Sequence, residues 1–382
     1  MIAFIQSFGY WGRGGGSRIL RGLLDCNHPP VISIATVPAE TAQQTPIPEI
    51  TMPVRPRLGR LEHTRLAGKL NAFDPLFRAS FEEKLIRVIE RKKIDAIHLV
   101  GHGYDLVPTS NVAVRLDIPL FLSVHDDIEY LSEKHAARDE LRASMARAWR
   151  YATSVYAISE EMGVEYSRRY GKREFAIVTD GLKGYAAQPL ARPQKSLRVY
   201  FMGLIHMSYL PNFRALLDAL KQLRAELPGW QIELTLRAGA LAGVLRDDDV
   251  KVTVLPFAGE REVQRDMESA DLLYMPLPFA KEAEAFGKFS LSTKMVTYLG
   301  SGLPIVYHGP ANSAACNLLG KHGAAIAIPS EDPAEIARQI LASLPRRNEI
   351  VTAALRLARE RFDLAEQQRR FWTPMRELPA NQ

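Results

Sequence analysis

The chain has 382 residues, of which 47% are apolar and 24% charged, with a formal net charge of +6. That length favours two domains over a single core, and the apolar share is ample for both. No window approaches about 18 uninterrupted apolar residues, which argues against a membrane-spanning helix. Two cysteines, Cys26 and Cys316, stand far apart without metal or redox spacing, so a reducing, cytoplasmic compartment is expected. The N-terminal MIAFIQSFGYWGRGGG has no basic n-region and glycine breaks its apolar run early, so no signal peptide is expected.

In chain order, Ile2–Phe8 reads as an apolar strand, followed by GYWGRGGG and a helix from about Ser17. Glycines at 14–16 allow close backbone approach to a ligand ahead of a helix N-terminus, although the GxGxxG spacing is absent. Further strands are expected at 31–37, 50–54, 96–100, 119–124 and 154–158, with a helix over 81–91 among those between them. These runs are continuously apolar, as in strands covered on both faces. Residues 55–93 hold 11 Lys/Arg against 5 Asp/Glu, and that excess of 6 equals the whole chain's. Interleaved with Leu and Phe, the stretch suits a peripheral contact with an anionic membrane; the ordinary reading is a solvated helix face plus a loop. Nucleic-acid binding is not expected. Two strand ends carry polar groups where ligands bind in open α/β sheets: His102, and the run His125, Asp126, Asp127. A histidine there can move a proton near neutral pH, or be a structural side chain. Ser159, followed by Glu160 and Glu161, reads as a helix N-cap.

Residues 186–196 (AAQPLARPQKS) mix Pro and polar residues without periodicity and read as an interdomain linker. RVYFMGL opens a second sheet, and a helix begins near Pro211. Arg237 ends the next strand. Asp247–Asp249 precedes a strand and reads as an exposed turn instead of a metal ligand pair. Residues 252–310 then alternate strand, turn, helix, strand, charged loop, helix and strand, the order of a parallel sheet with helical crossovers. A helix entered through Ser292 and Thr293, with Lys294 in its first turn, aims N–H groups and a cation at one spot, as a diphosphate requires. After VYHGP, a last strand and two amphipathic helices are expected.

In element order nearly the whole chain resembles glycosyltransferase family 4-like enzymes of the GT-B fold, most specifically over 252–310. The resemblance implies an α/β protein of two Rossmann-like parallel-sheet domains facing each other across a cleft. Residues 1–185 would be the acceptor domain, 186–196 the linker, 197–362 the donor domain, and 363–382 a helix returning to the first domain. Gly15 and Gly16 would lie in the loop facing the donor phosphates. His125 matches the histidine beside the transferred sugar, with Asp127 orienting it or meeting the acceptor, and His102 and Asp126 on the acceptor side. Past Gly203 the family often places Arg or Lys for the phosphates; this chain has only His206, Ser208 and Tyr209, and Arg237 is the candidate substitute. The loop at Phe257 and Ala258 would hold the base through main-chain groups. Glu284 resembles the first Glu of the family's Glu-x7-Glu signature, which meets the sugar. Where the second would bind ribose stands Thr297, a weaker partner than a carboxylate. Lys288, Ser292, Thr293 and Lys294 complete the expected donor side.

The implied activity is a retaining, metal-independent hexosyltransferase-type reaction. It would move a sugar from a nucleotide-diphosphate sugar to a polysaccharide, glycan or lipid-linked acceptor, with no cofactor. Charge growing on the leaving diphosphate would be met by groups already aimed there. Two other readings stand beside it. One is a catalytically degenerate protein of the same fold acting as a scaffold, suggested by Thr297 and the uncharged loop after Gly203. The other is a sugar-nucleotide epimerase, which needs acid/base groups on both sides of the sugar.

Overall fold

A computed structural model describes residues 1–12, 14–37, 44–56, 70–190, 195–238 and 243–378. The chain divides into two compact units. One is Met1–Gly181 together with the stretch from Leu364; the other is Leu182–Asp363.

The first unit is built on a seven-stranded sheet in which every pairing is parallel. Its strands are β1 (Ile2–Gln6), β2 (Val31–Ala35), β3 (Glu49–Thr51), β4 (Ala96–Val100), β5 (Leu120–Val124), β6 (Ser154–Ala157) and β7 (Ala176–Ile177). The order is β3-β2-β1-β4-β5-β6-β7, so it reverses beside β1, between β1 and β4. That is where an open parallel sheet offers a crevice beyond its strand ends. β1, β2, β4 and β5 are buried along their whole length, which explains why they read as continuous apolar runs instead of alternating ones. The expected strand at 50–54 is only Glu49–Thr51, an exposed edge that ends ahead of Pro53. The helix expected over 81–91 spans Arg78–Lys92, burying Phe81, Leu85 and Ile89 at i, i+4, i+8. Of the basic 55–93 stretch, residues 57–69 lie outside the described residues. The helix Leu364–Arg376 is part of this unit: Trp372 Nε1 donates to Leu23 O (2.7 Å) and Tyr156 Oη to Phe371 O (2.9 Å).

The second unit has a six-stranded parallel sheet, ordered β10-β9-β8-β11-β12-β13. Its strands are β8 (Ser196–Met202), β9 (Gln231–Arg237), β10 (Lys251–Leu255), β11 (Leu272–Pro276), β12 (Ile305–His308) and β13 (Ile326–Ile328). Two apolar clusters cover its faces, one around Phe201, Phe213, Leu216 and Leu234, the other around Met295, Leu299, Ile305 and Leu357. The helix after β8 runs Leu210–Glu226 with Pro211 in its first turn, where the missing N–H costs nothing.

The boundary between units falls earlier than the composition suggests. Ala186 N donates to Gly300 O (2.9 Å) and Leu190 N to Gly302 O (3.0 Å), which lays the stretch expected as a free linker along a turn of the second unit. Gly302 is at φ +79°, and a Cβ there would stand 2.8 Å from that of Ala186. Residues 191–194 of the expected linker lie outside the described residues.

Candidate active site

At the strand ends of the first unit the expected residues fall into a contiguous group. Ser17 Oγ donates to Gly9 O (2.8 Å) and Arg21 Nη1 to Tyr10 O (2.7 Å), closing the turn after β1. Gly15 and Gly16 are the opening residues of the helix Gly15–Leu24 and not a loop ahead of it. At Gly16 the reason for glycine is contact: a Cβ would lie 2.6 Å from the Phe8 ring. Phe8 in turn stands 6.0 Å from the His102 ring, and His102 meets His125 edge-on at 5.4 Å. His102 Nε2 lies 3.3 Å from Asp126 Oδ2. The loops after β1, β4 and β5 therefore converge on two imidazoles and one carboxylate.

Burial controls the charge there. It lowers the His125 pKa well below the usual histidine value, and neighbouring His102 and His98 push the same way. His102 is also lowered by burial, with Asp126 pulling partly back. His98, inside β4, is driven down to about 3 by burial and bonds Ser123 Oγ (2.8 Å), a core role. His125 is thus a neutral imidazole around pH 7, suited to hydrogen bonding or proton acceptance.

Asp127 does not join this group. Its side chain caps the helix Ile128–Ser132 by accepting from Glu129 N (3.2 Å), and it is 1% exposed. Arg169 grips both its oxygens, at 2.6 and 3.0 Å, while Tyr166 Oη stands 3.4 Å away. The expected orienting partner of His125 is instead the buried anchor of a helix. Arg169 was not legible as its partner, because 42 positions separate the two along the chain. Ser159 caps that helix through Met162 N (3.1 Å), as its residue type predicts.

In the second unit, Gly203 and Lys294 are neighbours. Gly203 is at φ +113°, and a Cβ there would lie 3.2 Å from Lys294 Cε and 3.5 Å from Nζ. The Lys294 ammonium rests 3.8 Å from the centroid of Phe201 and 6.0 Å from that of Tyr209. Loss of water pushes its pKa down to about 7, and no carboxylate among the described residues offsets that cost. Ser292 caps the helix Thr293–Leu299 by accepting from Lys294 N (3.2 Å).

Other expected donor residues are placed differently. Arg237 pairs with Asp266, which Tyr200 Oη also reaches (3.1 Å), and its Nη1 donates to Pro256 O (2.7 Å). It braces the loop that carries Phe257 and Ala258 and is not a free cation for phosphate. Phe257 is 47% exposed and Ala258 half-buried. Thr297 turns its hydroxyl back to Thr293 O (3.3 Å), a bond internal to the helix. Glu284 and Lys288 are exposed on the helix Glu284–Phe289; Glu284 Oε1 lies 3.4 Å from Asn312 Nδ2, and Lys288 Nζ 5.3 Å from the Phe289 ring. Gly287 faces Leu277, whose Cδ2 would lie 2.9 Å from an added Cβ. Asp247 accepts from Asp249 N and Val250 N (2.9 and 3.0 Å) and pairs with Lys221 (2.8 Å), which makes Asp247–Asp249 a turn. Among the described residues, no group of three or more His, Cys, Asp or Glu could hold a metal ion, and no helix is long and apolar enough to cross a membrane.

Two parallel sheets of this strand order define the GT-B fold, and solved structures agree over the full chain. HepE of Anabaena, in complex with UDP and glucose, matches at 16% identity, covering 99% of both chains with a TM-score of 0.70. A UDP-forming trehalose-phosphate synthase of Burkholderia vietnamiensis matches at 13% identity, covering 99% of this chain and 100% of its own, with a TM-score of 0.66. Sucrose-phosphate synthase of Thermosynechococcus elongatus matches at 14%, covering 98% of each, also at 0.66. No curated protein matches the chain in sequence. Residues 17–181 match the model of the glycosyl transferase 4-like domain. Residues 17–181 are thus similar to a glycosyl transferase 4-like domain, and the chain as a whole has the GT-B fold.

Proposed function

We propose that the protein is a retaining, metal-independent transferase that moves a hexose from a nucleotide-diphosphate sugar, with UDP as the carrier, to a glycan or lipid-linked acceptor. The observation that carries this reading is the Lys294 ammonium, set beside Gly203 and on the ring of Phe201 without a carboxylate of its own among the described residues. A cation held that way gains most when an anion arrives, and gains more as charge develops on a leaving diphosphate. UDP is favoured because the similar HepE structure was solved with UDP and glucose. Neutral His125 would stand at the sugar, and attack from the same face as the departing diphosphate would retain configuration. Melting measured with UDP, GDP, ADP, CMP and TDP, with and without EDTA, tests the reading. A ligand at about 100 times its dissociation constant adds roughly 2.7 kcal/mol, a shift of several degrees. A selective, EDTA-insensitive shift with UDP is expected; a shift that needs a divalent ion, or none at all, sinks it.

Peripheral membrane contact belongs to the same proposal, with polysaccharide or glycolipid synthesis at the cytoplasmic face. Phe73 (48% exposed) and Leu76 (74%) stand out of the turn just before the basic helix Arg78–Lys92. Co-sedimentation with anionic but not neutral vesicles is the expected result, lost in Leu76→Ser; equal binding to both vesicle types contradicts it. A catalytically degenerate protein is the competing reading, favoured by Arg237 and Thr297, both engaged within the fold.

A further inference from the structure

Two loops of the second unit lead to candidate donor residues, the one after β8 with Gly203 and the one after β11 leading to Glu284, and the loop after β12 brings Asn312 beside Glu284. One buried polar group joins them. Asn212, in the first turn of the helix after the β8 loop, is 1% exposed. Its Nδ2 donates to Leu277 O (3.0 Å) and to His308 O (3.1 Å), the main-chain ends of β11 and β12. Behind it, His308 Nε2 lies 2.8 Å from Ser330 O. A carbonyl only accepts, so Nε2 carries the proton. Burial pulls the His308 pKa down to about 4, leaving the ring neutral with Nδ1 as an acceptor. The Tyr274 hydroxyl lies 2.7 Å from that Nδ1 and 3.0 Å from Asn212 O, two acceptors that share its single proton. Leu277 is held from other sides as well, since a Cβ on Gly309 would lie 2.6 Å from its Cβ.

Asn212 Oδ1 is buried with no hydrogen-bond partner among the described residues. An unpaired buried acceptor is a standing cost that an apolar residue of similar size would avoid. Its neighbours in the helix, Leu210 and Phe213, show that the position is otherwise a core position.

We propose that Asn212, with Tyr274 and His308, is a positioning set that fixes where the segment from Leu277 to Glu284 stands relative to the Gly203 loop. None of the three contacts the donor; each acts through the main chain it holds. The inference rests on the reading of Lys294 and Glu284 as donor-side groups.

Asn212→Leu keeps the volume and removes both tethers, and the unpaired oxygen with them. Melting temperature, the Kd for UDP, and kcat and KM with a UDP-sugar are measured for this variant, for Tyr274→Phe and for Lys294→Ala. Misplacing a substrate-contacting segment by about an ångström costs up to ~10²-fold, so kcat of Asn212→Leu should fall ~30-fold. Its Kd for UDP should stay within about twofold, because the sugar and not the nucleotide meets that segment. Tyr274→Phe keeps the amide and should fall less, by ~3-fold. Normal kcat and KM in Asn212→Leu, with Lys294→Ala inactive, overturn the positioning role alone. Full activity in Lys294→Ala overturns the donor-site reading and this inference with it. If Asn212→Leu fails to fold, Tyr274→Phe decides on the same kcat-against-Kd comparison.

Discussion

The two units treat charge at their strand ends in opposite ways. In the first, Asp126 faces His102 and Asp127 is gripped by Arg169. The histidines are stripped of charge by burial. In the second, Arg237 is matched with Asp266, while Lys294 has aromatic faces and a glycine beside it and no carboxylate among the described residues. A neutral, hydrogen-bonding surface suits an acceptor made of hydroxyls, whereas an uncompensated ammonium suits an anion that brings its own charge. The contrast teaches that a titratable residue at a strand end says little until its partner is known.

The strongest way to break the contrast is to remove the unpaired cation. Lys294→Ala should lower kcat/KM with a UDP-sugar by ~10²- to 10³-fold, the scale of losing one preorganised electrostatic contact. Binding of a scaffold partner, in contrast, would be unaffected, and a wild-type rate in this variant would remove Lys294 from the donor site. Next comes His125→Ala, with an expected loss of ~10²-fold in kcat and nearly unchanged affinity for UDP. If turnover and UDP affinity fall together, His125 does not stand at the sugar.

A third test separates the two aspartates. Arg169→Ala leaves the Asp127 carboxylate buried without its partner and should destabilise the first unit by about 3 to 5 kcal/mol in denaturant unfolding. Asp126→Asn, on the half-exposed side, should change activity and hardly move stability. A catalytic defect without a stability defect in Arg169→Ala would return Asp127 to the active site.

The smallest effect expected is a dependence on pH. Lys294 titrates near 7 in the free protein, well below the ordinary lysine value of about 10.4. Between these values the unfolded chain holds more protons than the folded one, so this group lowers stability as pH falls through the window. Donor binding runs the other way, because the diphosphate needs the ammonium. UDP should therefore bind up to ~10-fold more tightly near pH 6 than near pH 8, with proton uptake visible by calorimetry in buffers of different ionisation enthalpy. The dependence should vanish in Lys294→Ala; flat affinity in the wild type argues against a near-neutral lysine.

Much of the architecture was legible because a strand buried on both faces must be continuously apolar, and helices must start where N–H groups find a cap. β1, β4 and β5, the Ser159 and Ser292 caps and Pro211 all follow from that local logic. The places of His102 and His125 were legible too, His125 directly after β5 and His102 two residues past the end of β4. Asn212 had one visible signal, a polar residue between Leu210 and Phe213 on a core face.

The class of fold, the succession of elements along the chain and the loops that carry polar side chains were thus readable from residues close together in sequence. Which charges are neutralised within the fold was not. Asp127 finds Arg169 across 42 positions, Arg237 finds Asp266 across 29, and Lys294 comes to lie on Phe201 without an acid among the described residues. Pairing and desolvation are set by packing between distant segments, and they separate a structural ion pair from a charge kept for a ligand.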